Sequence, residues 1–416
     1  MQIKTVTILG ANGTMGSQCA GIIAGFGEAK VFMIARSLEK AQEGIARAID
    51  SIKSDIIKNQ LIPKTYEDIK ECVGQSDWTF ELTAEDIETK HKINQQISEY
   101  KKPGAIISTV SSGLSIDELA SDFTKEEQKY YFGTHFYNPP YKMLLCELIP
   151  NSHSDPKVQK ELFEYLQNTL HRKVVITKNT PGFAGNRIGF QLLNEAVHFA
   201  QNNQKKGGTF YIDHLLGGFT GRAMPPIATI DLVGLDVHKA IVDNIYKLTN
   251  DFAHETFKLP KTIKNLILDG KLGNKTNGGF YTKEDKKNIF NFEFINQAKE
   301  KISQGQYEEA YKILMETNTY ESNIIQYFFA KYISYSLSLV GPVVATKEDV
   351  DKCMAYGFNW LPPCALIDLI GDKEKIVKLL NQYKLPIPEI IKKHSLKNKF
   401  YTLQSELDFR SFIKAY

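Results

Sequence analysis

The stretch Lys4-Thr-Val-Thr-Ile-Leu-Gly-Ala-Asn-Gly-Thr-Met-Gly16 decides the fold of the first part of this chain. Its apolar half predicts a buried strand that ends at Leu9, and the small and apolar residues 18–26 predict a helix. Glycines between a strand and a helix let the backbone turn sharply and approach a pyrophosphate at the helix N-terminus. This position favours a dinucleotide site over an ordinary turn. The candidate cofactor residues of the turn are Gly10, Asn12, Gly13, Thr14, Met15 and Gly16.

The composition is that of a globular protein. A chain of 416 residues is long enough for about two or three domains. Hydrophobic residues make up 42% and charged residues 24%, and the formal net charge is only +3, so we expect binding neither to nucleic acid nor to a membrane. No apolar run approaches the roughly 20 residues that span a bilayer, and no signal-peptide pattern precedes the first strand. We therefore expect a cytoplasmic protein.

The cysteines give no sign of a metal site. Five are scattered along the chain, without a CxxC pair and without a histidine at ligand spacing. This pattern is against zinc and against a disulfide framework, so we expect no metal and mostly buried, reduced thiols. The five are Cys19, Cys72, Cys146, Cys353 and Cys364.

The end of the second predicted strand, Lys30 to Ala35, bears on the identity of the cofactor. In NAD-specific folds this strand usually ends in an Asp or Glu that binds the ribose hydroxyls. Here Ala35 is followed by Arg36. A guanidinium without a neighbouring carboxylate suits the 2′-phosphate of NADP. An arginine that stacks on the adenine of NAD explains the same residues, so both NAD and NADP are expected candidates.

Strand and helix patterns alternate through the first part of the chain. Further strands are predicted at 78–82, 104–110, 131–136 and 173–177, and helices at 38–57 and 87–100. This alternation predicts an α/β domain with a doubly wound parallel sheet of the Rossmann type over residues 1–180.

From Asn186 onward the pattern is helical alone. Amphipathic helices are predicted at 187–201, 237–257, 293–302, 307–315 and 324–339. An all-helical part therefore follows the α/β part.

Polar residues collect in four segments at predicted strand ends, where open α/β sheets build their sites. The segments are 108–116, 133–140, 146–150 and 179–187. Taken singly, each candidate has an ordinary interpretation. Ser112 suits a turn, His135 a strand end and Glu147 a half-exposed strand, and Asn186 suits a helix N-cap.

Taken together, these segments resemble the (S)-3-hydroxyacyl-CoA dehydrogenase family. The resemblance rests on Gly133-Thr-His-Phe-Tyr-Asn-Pro139, on Glu147 within an apolar strand, and on Thr180-Pro-Gly-Phe-Ala-Gly-Asn-Arg187. Further segments match in the family's order, namely Glu85-Asp-Ile-Glu-Thr-Lys90, Ile230-Asp-Leu-Val-Gly-Leu-Asp-Val237 and Leu272-Gly-Asn-Lys-Thr-Asn-Gly-Gly-Phe-Tyr281. The signal is highly specific because several independent segments agree.

An internal repeat lies in the helical part. Met224-Pro-Pro-Ile-Ala-Thr-Ile-Asp-Leu-Val-Gly234 and Leu361-Pro-Pro-Cys-Ala-Leu-Ile-Asp-Leu-Ile-Gly371 share nearly one pattern. We expect a first helical domain over 181–290 and a second, diverged copy over 291–416, as in longer members of the family. Those members often carry an enoyl-CoA hydratase module, so here a separate hydratase is an expected partner.

The resemblance implies an oxidoreductase of fatty acid metabolism that interconverts (S)-3-hydroxyacyl-CoA and 3-oxoacyl-CoA with a nicotinamide cofactor. It makes His135 the general acid/base and Glu147 the carboxylate that fixes its tautomer. Ser112 and Asn186 match positions that contact the substrate oxygen and the nicotinamide. Cofactor contacts beyond the glycine turn and Arg36 are implied at Glu85, Lys90, Asn138 and Lys275.

Three features depart from the family pattern. Asn12 makes the glycine turn one residue longer, the ribose carboxylate is absent, and Val110 replaces a polar residue before Ser112. These departures leave two other functions open: a non-catalytic subunit that binds acyl-CoA or a dinucleotide, and a related β-hydroxyacid dehydrogenase that does not use CoA. Because single-copy family members dimerise through the helical domain, its duplication predicts a monomer.

Overall fold

The computed structural model describes residues 1–276, 278–282, 290–395 and 398–415. The chain divides into two compact units, Met1–Phe183 and Ala184–Tyr416. The first combines a sheet with helices and the second is helical, which confirms the predicted fold class. All five cysteines are buried, as predicted. None of the helices within the described ranges combines the length and apolar character needed to cross a bilayer.

The first unit is built on an eight-stranded sheet. Its strands are β1 (Thr5–Leu9), β2 (Lys30–Ala35), β3 (Leu61–Thr65), β4 (Trp78–Glu81), β5 (Ile106–Thr109), β6 (Tyr131–Phe136), β7 (Leu145–Pro150) and β8 (Lys173–Ile176). They lie in the order β3-β2-β1-β4-β5-β6-β7-β8. The strands from β3 to β6 are parallel, β7 is antiparallel to β6, and β8 is parallel to β7.

The predicted parallel sheet is confirmed from β3 to β6, whereas β7 and β8 run in the opposite direction to those strands. A parallel connection needs a crossover of a dozen or more residues, usually a helix. The segment between β6 and β7 contains no helix, so the chain turns back on itself and β7 pairs antiparallel with β6. This pairing places His135 directly opposite Glu147.

Helices cover both faces of the sheet. They are α1 (Thr14–Gly27), α2 (Leu38–Ile52), α3 (Ile69–Gln75), α4 (Ile87–Tyr100), α5 (Ile116–Ala120), α6 (Lys125–Gln128) and α7 (Pro156–Glu164). Val6 and Ile8 of β1 share one buried cluster with Ile23 of α1. Leu9 shares the cluster on the other face with Ile97 of α4. Because both faces are covered, even polar residues of the central strands are buried, such as Thr7 of β1 and Thr79 of β4.

Two elements of the first unit differ from the sequence expectation. The pattern does not indicate β3, because Pro63 and Lys64 interrupt its apolar character. A proline is tolerated there because β3 is an edge strand. Helix α2 ends at Ile52 and does not continue to residue 57, because Lys53 adopts a left-handed backbone with φ 51° and its N–H bonds back to the Asp50 carbonyl.

The second unit consists of helices. They are α8 (Gly185–Asn202), α9 (Gly208–Leu215), α10 (Pro226–Val233), α11 (Leu235–Leu248), α12 (Lys261–Leu268), α13 (Glu293–Ser303), α14 (Tyr307–Glu316), α15 (Tyr320–Ser338), α16 (Lys347–Phe358), α17 (Pro363–Ile370), α18 (Lys373–Gln382) and α19 (Glu389–Lys393). The continuous helix predicted over 237–257 is wrong in its second half. Thr249 is extended, with φ −119° and ψ 151°, so α11 ends at Leu248.

The two copies of the sequence repeat in the second unit form the same kind of hydrogen-bonded contact. In each copy, an aspartate after the Pro-Pro pair accepts hydrogen bonds from two successive backbone N–H groups. Asp231 of α10 accepts them from residues 280–281, both at 2.9 Å. Asp368 of α17 accepts them from residues 400–401, at 2.9 and 3.0 Å. The shared contact supports two helical copies, whereas their predicted boundary at 290 stays a prediction.

This contact predicts a matched effect of two substitutions. In D231N or D368N, one of the two N–H groups faces an amide NH₂ in place of a carboxylate oxygen. Because an unsatisfied buried donor costs about 1–3 kcal/mol, we expect each variant to lose about that much stability against denaturant. D269N, at an exposed position after α12, is the control and should unfold as the wild type does. Unfolding midpoints unchanged in both D231N and D368N would contradict the structural role.

Candidate active site

The glycine turn after β1 has no room for side chains at two of its positions. Gly10 has φ 79°, and a Cβ there would lie 2.4 Å from the Leu82 carbonyl oxygen. A Cβ at Gly16 would lie 2.4 Å from the carbonyl oxygen of Gly10. Helix α1 then begins at Thr14 without a side-chain cap. The first N–H groups of α1 are therefore available to an anion, which suits the pyrophosphate of a dinucleotide.

The extra residue Asn12 is held by helix α2. The Arg47 guanidinium donates a hydrogen bond from Nη1 to the Asn12 carbonyl at 2.7 Å. A Cβ at Gly44 would lie 2.7 Å from the Ala11 carbonyl oxygen, so α2 packs directly against the turn. Sequence reasoning missed both α2 residues. A glycine inside a predicted helix was the available signal, because such glycines often mark a close approach.

Arg36 follows the buried end of β2 and is exposed. In the described part of the chain, its guanidinium makes no hydrogen bond and no ion pair. The next residue, Ser37, caps α2 by accepting a hydrogen bond from the Lys40 N–H at 3.2 Å. Tyr66 leaves β3 at the same edge of the sheet, since Ala35 and Thr65 are paired in register. Sequence reasoning missed Tyr66 because it missed β3.

The pair His135 and Glu147 forms the most clearly built polar contact of the first unit. The two residues are cross-strand neighbours on β6 and β7, and His135 Nδ1 lies 2.8 Å from Glu147 Oε2. Their exposed fractions are 4% and 0%. When Nδ1–H donates to the carboxylate, Nε2 of the neutral ring carries the lone pair. In this tautomer, Nε2 is the ring nitrogen that can accept a proton.

Two aromatic residues complete this pair. The Tyr137 hydroxyl donates to the same Glu147 Oε2 at 2.8 Å, and its ring centroid lies 4.6 Å from that of His135. The Phe183 ring is buried, with its centroid 5.6 Å from that of His135. A hydrogen bond is stronger in such water-poor surroundings. Sequence reasoning missed Tyr137, although its position two residues after His135 placed it on the same face.

Glu85 accepts hydrogen bonds from the loop that contains Ser112. Its Oε1 accepts hydrogen bonds from Ser111 Oγ at 2.6 Å and from the Ser112 backbone N–H at 2.8 Å. The Ser112 hydroxyl itself has no hydrogen-bond partner in the part of the chain that the structure describes. Glu85 thus supports the loop from within the protein, and the Ser112 hydroxyl remains available to a ligand.

Lys90 is enclosed within the first unit. Its Nζ lies 2.7 Å from Glu81 Oε2 and 3.4 Å from Thr109 Oγ1, and its exposed fraction is 0%. Burial by itself raises the pKa of Glu81, but the charge and hydrogen bond of Lys90, together with hydrogen bonds from Thr83 and Thr109, outweigh this effect, and the net pKa is lowered. This buried pair braces the carboxyl ends of β4 and β5. Lys90 therefore supports these strand ends from within the protein, and its contact with the cofactor stays a prediction.

The other candidates are distributed over both units. Asn138 is exposed after β6 in the first unit. Asn186 lies in the first turn of α8 in the second unit, where the N-cap is Ala184, so Asn186 does not cap this helix. Lys275 is also in the second unit, and its Nζ lies 2.7 Å from Asp236 Oδ2. Asn277 of the same matched segment lies outside the described residues.

Comparison with known proteins gives the family. The model for the 3-hydroxyacyl-CoA dehydrogenase NAD binding domain matches residues 5–180, and the model for the 3-hydroxyacyl-CoA dehydrogenase C-terminal domain matches residues 182–283. A Deinococcus radiodurans protein named "probable 3-hydroxyacyl-CoA dehydrogenase" is 32% identical over 301 residues, which are 69% of this chain and 85% of that protein. The chain belongs to the 3-hydroxyacyl-CoA dehydrogenase family.

One further sequence relative and one solved structure match more of this 3-hydroxyacyl-CoA dehydrogenase family member. A Bacillus subtilis protein of the same name is 27% identical over 91% of this chain, but the chain spans only 52% of its length. The crystal structure of 3-hydroxybutyryl-CoA dehydrogenase from Escherichia coli superposes with a TM-score of 0.72 at 21% identity, covering 92% of this chain and 95% of that chain. At this identity the likeness shows the fold, including the helical second half.

The hydrogen bond from Tyr137 to Glu147 predicts a loss of stability in Y137F. The substitution removes one donor from a fully buried carboxylate, which costs about 1–3 kcal/mol. We expect the midpoint of denaturant unfolding to fall accordingly. Y141F is the matched control, because Tyr141 is 41% exposed and surface changes usually stay within about 0.5 kcal/mol. Equal midpoints for Y137F and Y141F would show that the hydroxyl does not support Glu147.

Proposed function

We propose that this protein interconverts (S)-3-hydroxyacyl-CoA and 3-oxoacyl-CoA with a nicotinamide dinucleotide. The observation that carries the proposal is the buried His135 and Glu147 pair, which lies in the same unit as a glycine turn fit for a pyrophosphate. Family membership supports the same reaction class. An acyl-CoA substrate and a role in fatty acid metabolism are part of this proposal.

In the oxidative direction, a secondary alcohol loses a proton from oxygen and a hydride from carbon. We assign the proton to His135 Nε2, which is the ring nitrogen that Glu147 does not engage. A bound nicotinamide supplies the acceptor for the hydride. As the imidazole takes up the proton, the Glu147 carboxylate at 2.8 Å stabilises the positive charge. In the reductive direction, His135 returns the proton to the carbonyl oxygen.

We assign roles to the other candidate site residues as follows from their positions. The Ser112 hydroxyl and the Asn186 amide are assigned to the substrate oxygen and the nicotinamide, where their donors would polarise a carbonyl. Residues 10–16 are assigned to the pyrophosphate, with Asn138 and Lys275 as further contacts. Glu85 and Lys90 act by support, because both are engaged by neighbours within the first unit. The dinucleotide is NAD or NADP.

The proposed base predicts a specific defect in H135Q. General acid/base catalysis contributes about 10²–10⁴-fold, so kcat with acetoacetyl-CoA and NADH or NADPH should fall by that factor, while the dissociation constant of the reduced cofactor changes little. Loss of nicotinamide absorbance measures the first quantity and fluorescence titration the second.

H153Q is the control for this experiment, because His153 is an exposed histidine of the same unit. It should retain wild-type activity. Equal kcat in H135Q and wild type would contradict the role of His135. Absence of turnover by the wild type with short, medium and long acyl chains and with both cofactors would overturn the proposed reaction. Retained binding of acyl-CoA or dinucleotide without turnover would favour a non-catalytic subunit.

We also propose that the protein is a monomer and that a separate enoyl-CoA hydratase acts with it. The support for a monomer is the second helical copy, which carries the same aspartate contact as the first and would occupy the surface through which single-copy members pair. Light scattering should therefore give a mass near 47.1 kDa. A dimeric mass at micromolar concentration would contradict this assembly.

A further inference from the structure

The carboxyl edge of β2 and β3 carries positive side chains where an adenosine ribose would lie. Ala35 ends β2 in place of the carboxylate that usually binds ribose hydroxyls. Arg36 follows it, exposed and without an ion-pair partner in the described ranges. A carboxylate at this position repels a 2′-phosphate, and its absence removes that barrier.

Two groups beside Arg36 are suited to the same anion. Ser37 Oγ accepts a hydrogen bond from the Lys40 N–H, so its own hydroxyl proton is free to be donated outward. Lys40 Nζ lies 2.8 Å from Glu43 Oε1, and the two side chains are 49% and 36% exposed. Because an exposed pair of this kind is weak, a phosphate can engage Lys40 without a large cost. Both residues also lie at the N-terminus of α2, which favours a negative charge.

Tyr66 connects this edge to the glycine turn. The pKa of its phenol is raised, chiefly by burial and then by the charge of Glu81, while a hydrogen bond with the Gly10 backbone and the guanidinium of Arg36 act in the opposite direction. The Gly10 backbone and the Arg36 guanidinium are therefore both close enough to the Tyr66 phenol to affect its pKa. A nucleotide seated on the turn would pass beside Tyr66 and reach Arg36 with its ribose.

The acidic groups near this edge do not cancel the positive charge. Glu81 is paired with Lys90, and Asp68 accepts hydrogen bonds from the Thr65 N–H and hydroxyl. Glu43 is paired with Lys40 and Arg47, and Glu71 with Lys64. Glu39 and Glu67 are exposed and have no ion-pair partner in the part of the chain that the structure describes. Neither stands at the end of β2, where the ribose hydroxyls would lie.

We propose that Arg36, Ser37 and Lys40 bind the 2′-phosphate of NADP(H), so that this chain prefers NADPH to NADH. The inference rests on the proposed function, because it takes the glycine turn as the dinucleotide site. Arg36 supplies a planar fork of donors that matches phosphate oxygens, and Lys40 adds a second charge. An Arg36 that merely stacks on adenine would leave Ser37 and Lys40 without a part in binding.

The experiment measures nucleotide binding and does not depend on enzymatic turnover. Isothermal titration with NADPH, NADH, 2′-phospho-ADP-ribose and ADP-ribose should show the phosphorylated member of each pair bound about 10- to 100-fold more tightly. R36A should remove most of this difference and K40A part of it, while NADH affinity changes far less. K92A, at an exposed lysine of α4, should leave the difference intact. The preference should also shrink as salt rises.

Two results would overturn the inference. NADH bound as tightly as NADPH would show that the phosphate is not recognised. An R36A variant that weakens both cofactors equally would assign Arg36 to adenine stacking. Either result leaves the proposed reaction standing. If neither cofactor binds, the proposed function fails, and this inference fails with it.

Discussion

The antiparallel register between β6 and β7 is the constraint on which the candidate site depends. His135 and Glu147 are 12 residues apart in sequence and become direct neighbours only because β7 turns back beside β6. A slip of one residue would send Glu147 to the opposite face of the sheet. The His135 ring would then lose its buried acceptor, and nothing would determine which ring nitrogen carries the proton.

Buried charge is the second theme of the first unit. Glu81 and Glu147 are both almost fully buried, and each accepts a hydrogen bond, Glu81 from Lys90 and Glu147 from His135. Glu81 with Lys90 holds the ends of β4 and β5, whereas Glu147 holds a titratable ring. A buried carboxylate with a hydrogen-bond donor thus supports the sheet in one place and orients the proposed acid/base in the other. Removing one partner alone would leave an uncompensated charge in the interior.

Sequence reasoning reached the main elements because most of them have strong local signals. It missed β3, whose proline is tolerated only because the strand lies at an edge, and with it Tyr66. It did not predict the reversed direction of β7 and β8, because hydrophobic patterns do not encode strand direction. The resemblance implied Lys90 as a cofactor contact but did not indicate its burial against Glu81, because a resemblance conveys residue identity and not exposure. Tyr137 also escaped it, because a cross-strand hydrogen bond has no local signature.

By itself, the sequence determined the strand and helix alternation of residues 1–180, the glycine turn, the helical second part with its repeat, and the residue types of the proposed chemistry. These are local properties, because they depend on periodicity and on backbone freedom within a few residues. Only the tertiary structure decided the direction of β7, the hydrogen bond from Tyr137 to Glu147, the burial of Lys90 and the exposure of Arg36. Those outcomes depend on contacts between segments that are far apart in sequence, and such contacts form only when the strands pair in the folded protein.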